Sequence, residues 1–210
     1  MTNAQQIAME IRENYRFVLD NGLKNCHAFG LHSLVLEKKT NGDLRRIFIA
    51  RDWHELWQNE FDRFAKYPKF DLSVAIHPHH CGVELAVVEG SIMNYECVEG
   101  KGFELAEFLY SSPITGKAGF FARKRRANLQ ITKETLVVQG SAISLLPRQL
   151  HTVFVEKGAT AAWVVNESGE DANYVPRCFS NADLEYFSFE GMYRPMSPKT
   201  LDSIIEYLEK

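Results

Sequence analysis

The chain has 210 residues, 45% of them hydrophobic and 24% charged, with a formal net charge of −3. That length is ample for one large domain with a buried core. The slightly acidic balance excludes a global basic field drawing the chain to nucleic acid or an anionic membrane. No apolar run approaches the roughly 20 residues of a membrane-crossing helix, and the first residues lack the basic and apolar regions of a secretory leader. A cytoplasmic location is expected, with Cys26, Cys81, Cys97 and Cys178, which have no CxxC spacing, as free thiols.

Residues 3–20 read as a helix. Ile7, Ile11, Tyr15 and Val18 recur at helical spacing, and Asn21-Gly22 is a stop signal. Two strand-like runs, 34–36 and 47–49, flank Asn41-Gly42, a hairpin signal because both residues tolerate positive φ. A second helix is expected over 52–65, with Asp52 and Glu55 spaced as in a capping box and Tyr67-Pro68 ending it. From Asp71 the pattern turns to β. Runs at 72–76, 83–95, 103–110, 119–123, 129–131, 136–138, 142–146, 152–155 and 160–165 are separated by glycines and prolines, among them Gly90, Gly100, Gly102, Gly140 and Pro147. Many short strands punctuated in this way predict an antiparallel sandwich or barrel. Residues 166–196 are less regular. Ser197-Pro198 then opens a helix carrying Leu201, Ile204, Ile205 and Leu208 on one stripe. The expectation is a single domain over 1–210, with a β-core at about 70–168 and helical extensions at about 3–20, 52–65 and 197–209.

Metal-binding chemistry concentrates in one stretch, Ile76-His77-Pro78-His79-His80-Cys81-Gly82-Val83-Glu84. It holds three of the seven histidines, a cysteine and a carboxylate. His77 and His79 share a face if the segment is extended. A hairpin at Cys81-Gly82 could return Glu84 beside them. A further ligand must come from afar, and His27, His32, His54 and His151 are the candidates. His80 and Cys81 read as bystanders, Cys81 as a small apolar filler.

These residues resemble the cupin superfamily. Its first motif has the form G-x5-HxH-x3/4-E-x6-G, and this chain has His77-x-His79-x4-Glu84-x5-Gly90. Its second has the form G-x5-P-x-G-x2-H-x3-N, and here Gly140 and His151 stand at the family's separation, with Pro147 in the approach. The chain departs from the pattern at several points. Asp71 occupies the place of the first glycine, and the interval from Glu84 to Gly90 is one residue short. Pro147 is one position late, Arg148 stands where a turn glycine is expected, and Val155 replaces the asparagine. The resemblance implies a mainly β, cupin-like antiparallel jelly-roll barrel with N-terminal and C-terminal helical extensions. It also implies a divalent transition metal held by His77, His79, Glu84 and His151, with Fe(II) favoured and Mn, Zn, Ni or Cu as alternatives. Without Glu84 the set becomes three histidines, as in the thiol dioxygenase branch.

The implied function is a metal-dependent enzyme acting on a small organic molecule, a non-haem Fe(II) dioxygenase. The alternatives are a non-catalytic small-molecule-binding cupin and a sugar-phosphate isomerase or epimerase. In the last, the run Arg123, Lys124, Arg125 and Arg126 would recognise the anion, although a solvated strand end or turn explains those residues as well. Tyr95, Tyr174 and Arg177 are the candidates for touching substrate. The family also implies a homodimer. No nucleic acid or membrane partner is expected.

Overall fold

A computed structural model of the chain describes residues 1–26, 30–50, 76–110, 121–156, 159–169, 174, 177–180 and 193–210. The helix expected over 52–65 lies outside the described residues, as do His27 and His54.

The N-terminal segment forms two helices where one is expected. The first, α1 (Asn3–Glu13), is opened by a capping box in which Gln5 N–H donates to Thr2 Oγ1 and Thr2 N–H donates to Gln5 Oε1. It buries Ala4, Ile7, Ala8 and Ile11. At Asn14 the helix breaks. The side-chain amide of Asn14 donates to Glu10 O at 3.1 Å, an acceptor its own N–H also uses. Such side-chain competition for the backbone is why asparagine interrupts helices. A second helix, α2 (Tyr15–Asn21), follows and buries Val18. The expected C-terminal helix is α3 (Pro198–Leu208). Ser197 Oγ accepts from Thr200 N–H, and the predicted stripe of Leu201, Ile204, Ile205 and Leu208 is buried. Arg12 ties α1 to α3 through a two-pronged contact with Glu209, at 2.7 and 3.0 Å.

The strands are β1 (Leu23–Lys24), β2 (Leu31–Lys38), β3 (Leu44–Ala50), β4 (Gly82–Glu89), β5 (Ser91–Tyr110), β6 (Phe121–Val138), β7 (Ala142–Leu145), β8 (Leu150–Phe154), β9 (Ala161–Ser168), β10 (Arg177–Ser180) and β11 (Arg194–Pro195). All of their pairings are antiparallel. One sheet runs β11-β1-β2-β3-β9-β4-β7. The other runs β10-β5-β6, with β8 also on β5. The mainly β, antiparallel fold with helices at the ends is therefore as expected. Among the described residues the strands form two sheets and not one closed barrel. The hairpin across Asn41-Gly42 is β2–β3, with Lys38 opposite Leu44.

Three expected boundaries do not exist. Residues 100–102, read as a turn, are a bulge inside the 20-residue β5, where Glu99 and Phe103 both face Leu129. From Phe121 on, the run expected over 119–123 is continuous with those at 129–131 and 136–138 in β6. Cross-strand ion pairs run along this ribbon, Arg125 to Glu99 and Arg126 to Glu104. Charged residues in register stabilise a sheet as pairs, but read singly they look like loop.

The seven-stranded sheet is buried on two sides by alternation. Ile47, Ile49, Ala162 and Val164 pack under α1, α2 and α3. Phe48, Ala50, Val83, Leu85, Val87 and Trp163 meet Ile92, Val137 and Val153 of the second sheet. The chain crosses between the sheets at two adjoining corners. Gly90 links β4 to β5 with φ +70, and a Cβ there would collide with Thr160 O. Gly140 links β6 to β7 with φ +81. Gln139 N–H donates to Gly90 O and Gly140 N–H to Val87 O, so the second glycine of the first motif and the first glycine of the second form one corner. No described helix is long and apolar enough to cross a membrane.

Candidate metal centre

Backbone register places two of the three histidines side by side. His77 and His151 form a bridge in which each N–H donates to the other's carbonyl at 3.0 Å. Directly opposed residues of an antiparallel pair point to the same side. On its other edge His151 stands opposite Glu96 of β5, which in turn stands opposite Lys133 of β6. His79 follows in a short irregular segment pinned by Arg148 N–H, which donates to His79 O at 2.8 Å.

That pin depends on a turn. Gln149 N–H donates to Leu146 O at 3.1 Å, placing Pro147 and Arg148 at the two central positions. Arg148 has φ 65, in the region a type II turn requires of its third residue and normally fills with glycine. The turn glycine of the cupin pattern that the chain resembles is thus replaced in residue type, while the backbone keeps the conformation glycine would supply.

The three imidazoles converge. Their ligand atoms all lie within 4.8 Å of one another, and the ring centroids are 4.9 to 5.0 Å apart. His79 Nε2 and His151 Nε2 are 2.9 Å apart. Two nitrogens each about 2.1 Å from one ion at right angles would stand about 3.0 Å apart, so this pair has the spacing of adjacent ligands. His151 is buried, whereas His77 and His79 are half-buried and leave the cluster reachable. Neutral imidazole nitrogens suit iron, zinc, copper and nickel, and three of them leave positions open on the ion. The residues present therefore fit a divalent transition metal.

Glu84 is not in this cluster, contrary to expectation. It is exposed on β4, accepts from Asn166 Nδ2 at 3.3 Å, and lines a depression on the outer surface with Glu37, Asp43 and Asn166. The reason is strand phase. Val83, Leu85 and Val87 face the core, so Glu84 must face away. His32 is buried and receives Asn25 N–H at Nδ1, apart from the triad. Cys81 is packed in the core between the sheets, and burial pushes its thiol up to about 12. A thiol held protonated in this way is a poor metal ligand.

The expected substrate contacts separate. Tyr174 lies on the histidine segment, with its hydroxyl donating to Pro78 O at 2.7 Å and its ring 5.9 Å from that of His80. Burial pushes its phenol up to about 12. Tyr95 follows Asn94 in β5 and so points to the opposite side of the sheet from it. Arg177 donates to Glu99 at 2.8 Å, contacts Glu107 at 3.4 Å and lies over the Phe179 ring. Within the basic run, Arg125 pairs with Glu99 and buried Glu107, and Arg126 with Glu104. Arg125 foremost, with Arg177, holds the Glu99 carboxyl below its ordinary range. The guanidinium charge of Arg125, Arg126 and Arg177 is already met by carboxylates.

One residue at the centre escaped sequence reasoning. Asn94 is fully buried on β5, and its Oδ1 is 2.9 Å from His151 Nδ1. The available signal was an asparagine in phase with apolar Ile92 in an otherwise strand-like run.

No protein-family model and no curated protein matches the chain. Solved structures do. The hydroxypropylphosphonic acid epoxidase from S. wedmorenis is similar at 11% identity and TM-score 0.41, over 70% of this chain and 54% of that one. A structure of FeII HppE is similar at 11% and 0.38, over 67% and 51%. A cupin superfamily protein from Desulfitobacterium hafniense is similar at 6% and 0.34, over 65% and 75%. The chain thus spans about half the length of the first of these structures. What resembles the cupin pattern in this chain is its own features: two antiparallel sheets, the Gly90 and Gly140 corner, and three histidines from the two motif regions.

Proposed function

We propose that the protein is a metal-dependent enzyme acting on a small organic molecule, and specifically a non-haem Fe(II) dioxygenase with a three-histidine centre. The observation that supports this reading is the convergence of His77, His79 and His151 within 4.8 Å, drawn from segments more than 70 residues apart. His77, His79 and His151 would hold the ion. When bound, the ion supplies Lewis acidity and a place where O₂, substrate or both can bind. The buried His151 anchors the centre, and the half-buried His77 and His79 sit toward the side from which a molecule can approach. Tyr174 fixes the Pro78 carbonyl between the two ligands, and its ring offers an apolar wall beside them. With Glu84 turned outward, the donor set is neutral and the bound ion keeps its full charge. The pairing of Arg125, Arg126 and Arg177 with carboxylates argues against the sugar-phosphate alternative.

The test is elemental analysis of purified protein after separate repletion with iron(II), manganese, zinc, nickel and copper, followed by oxygen-uptake assays with thiols, diketones and aromatics. The expected result is close to one metal ion per chain, lost in His77→Ala and His151→Ala, and oxygen consumption by the iron form with one substrate class. Folded wild-type protein that takes up no metal sinks the metal reading. Metal uptake with no oxygen consumption in any arm sinks the dioxygenase reading alone. Acidification should release the ion, because the imidazoles must be neutral to bind it.

A further inference from the structure

Asn94 stands on the same face of β5 as Ile92 and Glu96, the face that turns into the core between the sheets. Its Oδ1 meets His151 Nδ1, and its Nδ2 finds no partner among the described residues. Thr135, its cross-strand neighbour on β6, likewise leaves its buried Oγ1 without a partner. A buried polar group left unsatisfied costs about 1–3 kcal/mol. Ile92, two residues earlier and fully packed, shows that an aliphatic side chain suits this face. Packing therefore does not account for an amide here. Among the described residues, the one polar contact its side chain makes is to the far nitrogen of a ligand imidazole.

A neutral imidazole carries one N–H. Oδ1 offers only lone pairs, so the contact requires the proton on Nδ1 and leaves Nε2 with its lone pair. Nε2 is the atom 2.9 Å from His79 Nε2. The other amide orientation would set Nδ2 against Nδ1 and force the proton onto Nε2, where it would block an ion. We propose that Asn94 is the positioning residue of the metal centre: through Oδ1 it locks His151 in the Nδ1–H tautomer and aims Nε2 at the ion. This rests on the metal reading above. Outer partners of this kind fix ring orientation, and their loss typically weakens metal binding about 10–100-fold.

The experiment compares wild type, Asn94→Leu, Asn94→Asp and Thr135→Val. Zinc and cobalt(II) affinities are measured by chelator competition, the cobalt absorption spectrum is recorded, and the His151 tautomer is read from ring ¹⁵N shifts in metal-free protein. Asn94→Leu should lose about 10–100-fold in affinity, alter the cobalt spectrum and lose the pure Nδ1–H tautomer. Asn94→Asp, an acceptor only, should keep at least wild-type affinity and the same tautomer. Thr135→Val should bind as wild type, which separates the contact to His151 from general polarity at the site. Wild-type affinity and tautomer in Asn94→Leu overturn the assignment, as does a loss in Asn94→Asp equal to that in Asn94→Leu. Wild type that binds no metal overturns the metal reading and this role together, an outcome distinct from the other two.

Discussion

The helix-covered face of the seven-stranded sheet and the space between the two sheets are both buried, yet the first is the more apolar, with buried His32 opposite Ile49 as its polar member among the buried residues described. Under the helices, Ile11, Leu34, Ile47, Ile49, Leu201 and Ile204 pack with no charged group among them. Between the sheets the same kind of core, built on Leu85, Ile92 and Trp163, is shared with buried Asn94 and His151 and with the ion pair of buried Arg46 and half-buried Glu167. Burying polar groups is unfavourable unless they are satisfied. The first region therefore serves the fold, and the second retains groups that the fold alone would replace by hydrocarbon.

That contrast can be broken by mutation. The largest effect on stability is expected on the helix side. Leu201→Ala should destabilise the chain by about 2–5 kcal/mol in urea titrations while leaving the metal content per folded chain unchanged. If metal is lost in parallel with the folded state retained, the two regions are not separate. On the site side, Arg148→Gly should stabilise by up to about 1 kcal/mol, because a left-handed side chain costs about 1–2 kcal/mol and glycine returns part of that as entropy. It should also leave the His79 carbonyl pinned, so metal affinity would hold. Destabilisation by Arg148→Gly would show that the arginine side chain contributes more than the strained backbone costs. A change of similar size is expected at the α3 cap, where Ser197→Ala should cost about 1 kcal/mol in thermal unfolding.

The smallest effects test the assignments by their absence. Glu84→Gln should leave metal affinity within twofold, and a tenfold loss in the same chelator competition would return Glu84 to the ligand set. The thiols should be inert in the folded chain. Burial pushes Cys26 and Cys81 up to about 12 and Cys97 up to about 11, and raises Cys178 as well. Since only the thiolate reacts, alkylation at pH 8 should be slow for all four until denaturant is added. Rapid labelling of Cys81 without denaturant would mean that the segment beside His79 opens.

Much of this architecture was legible because it is local. The cap of α3 at Ser197-Pro198 and the β2–β3 hairpin depend on neighbours a few positions apart. The failures also have a common form. Asn14 split a helix that periodicity alone would continue. The ion pairs of β5 and β6 concealed two long strands, because charges that satisfy each other across a ladder look like loop residues when read along the chain.

The same division runs through the site. By itself the sequence determined the kinds of ligand available and the His77 and His79 pair, while the resemblance of the Gly140 to His151 interval to the cupin pattern pointed to His151. Only the tertiary structure decided that Glu84 stands outside the histidine cluster and that the Asn94 amide adjoins it. Glu84 was excluded by strand phase, a single-residue matter that its spacing from His79 does not carry. Asn94 was included by a contact to a residue 57 positions away. Side-chain direction and long-range register arise when the sheets pack, and no local propensity specifies them.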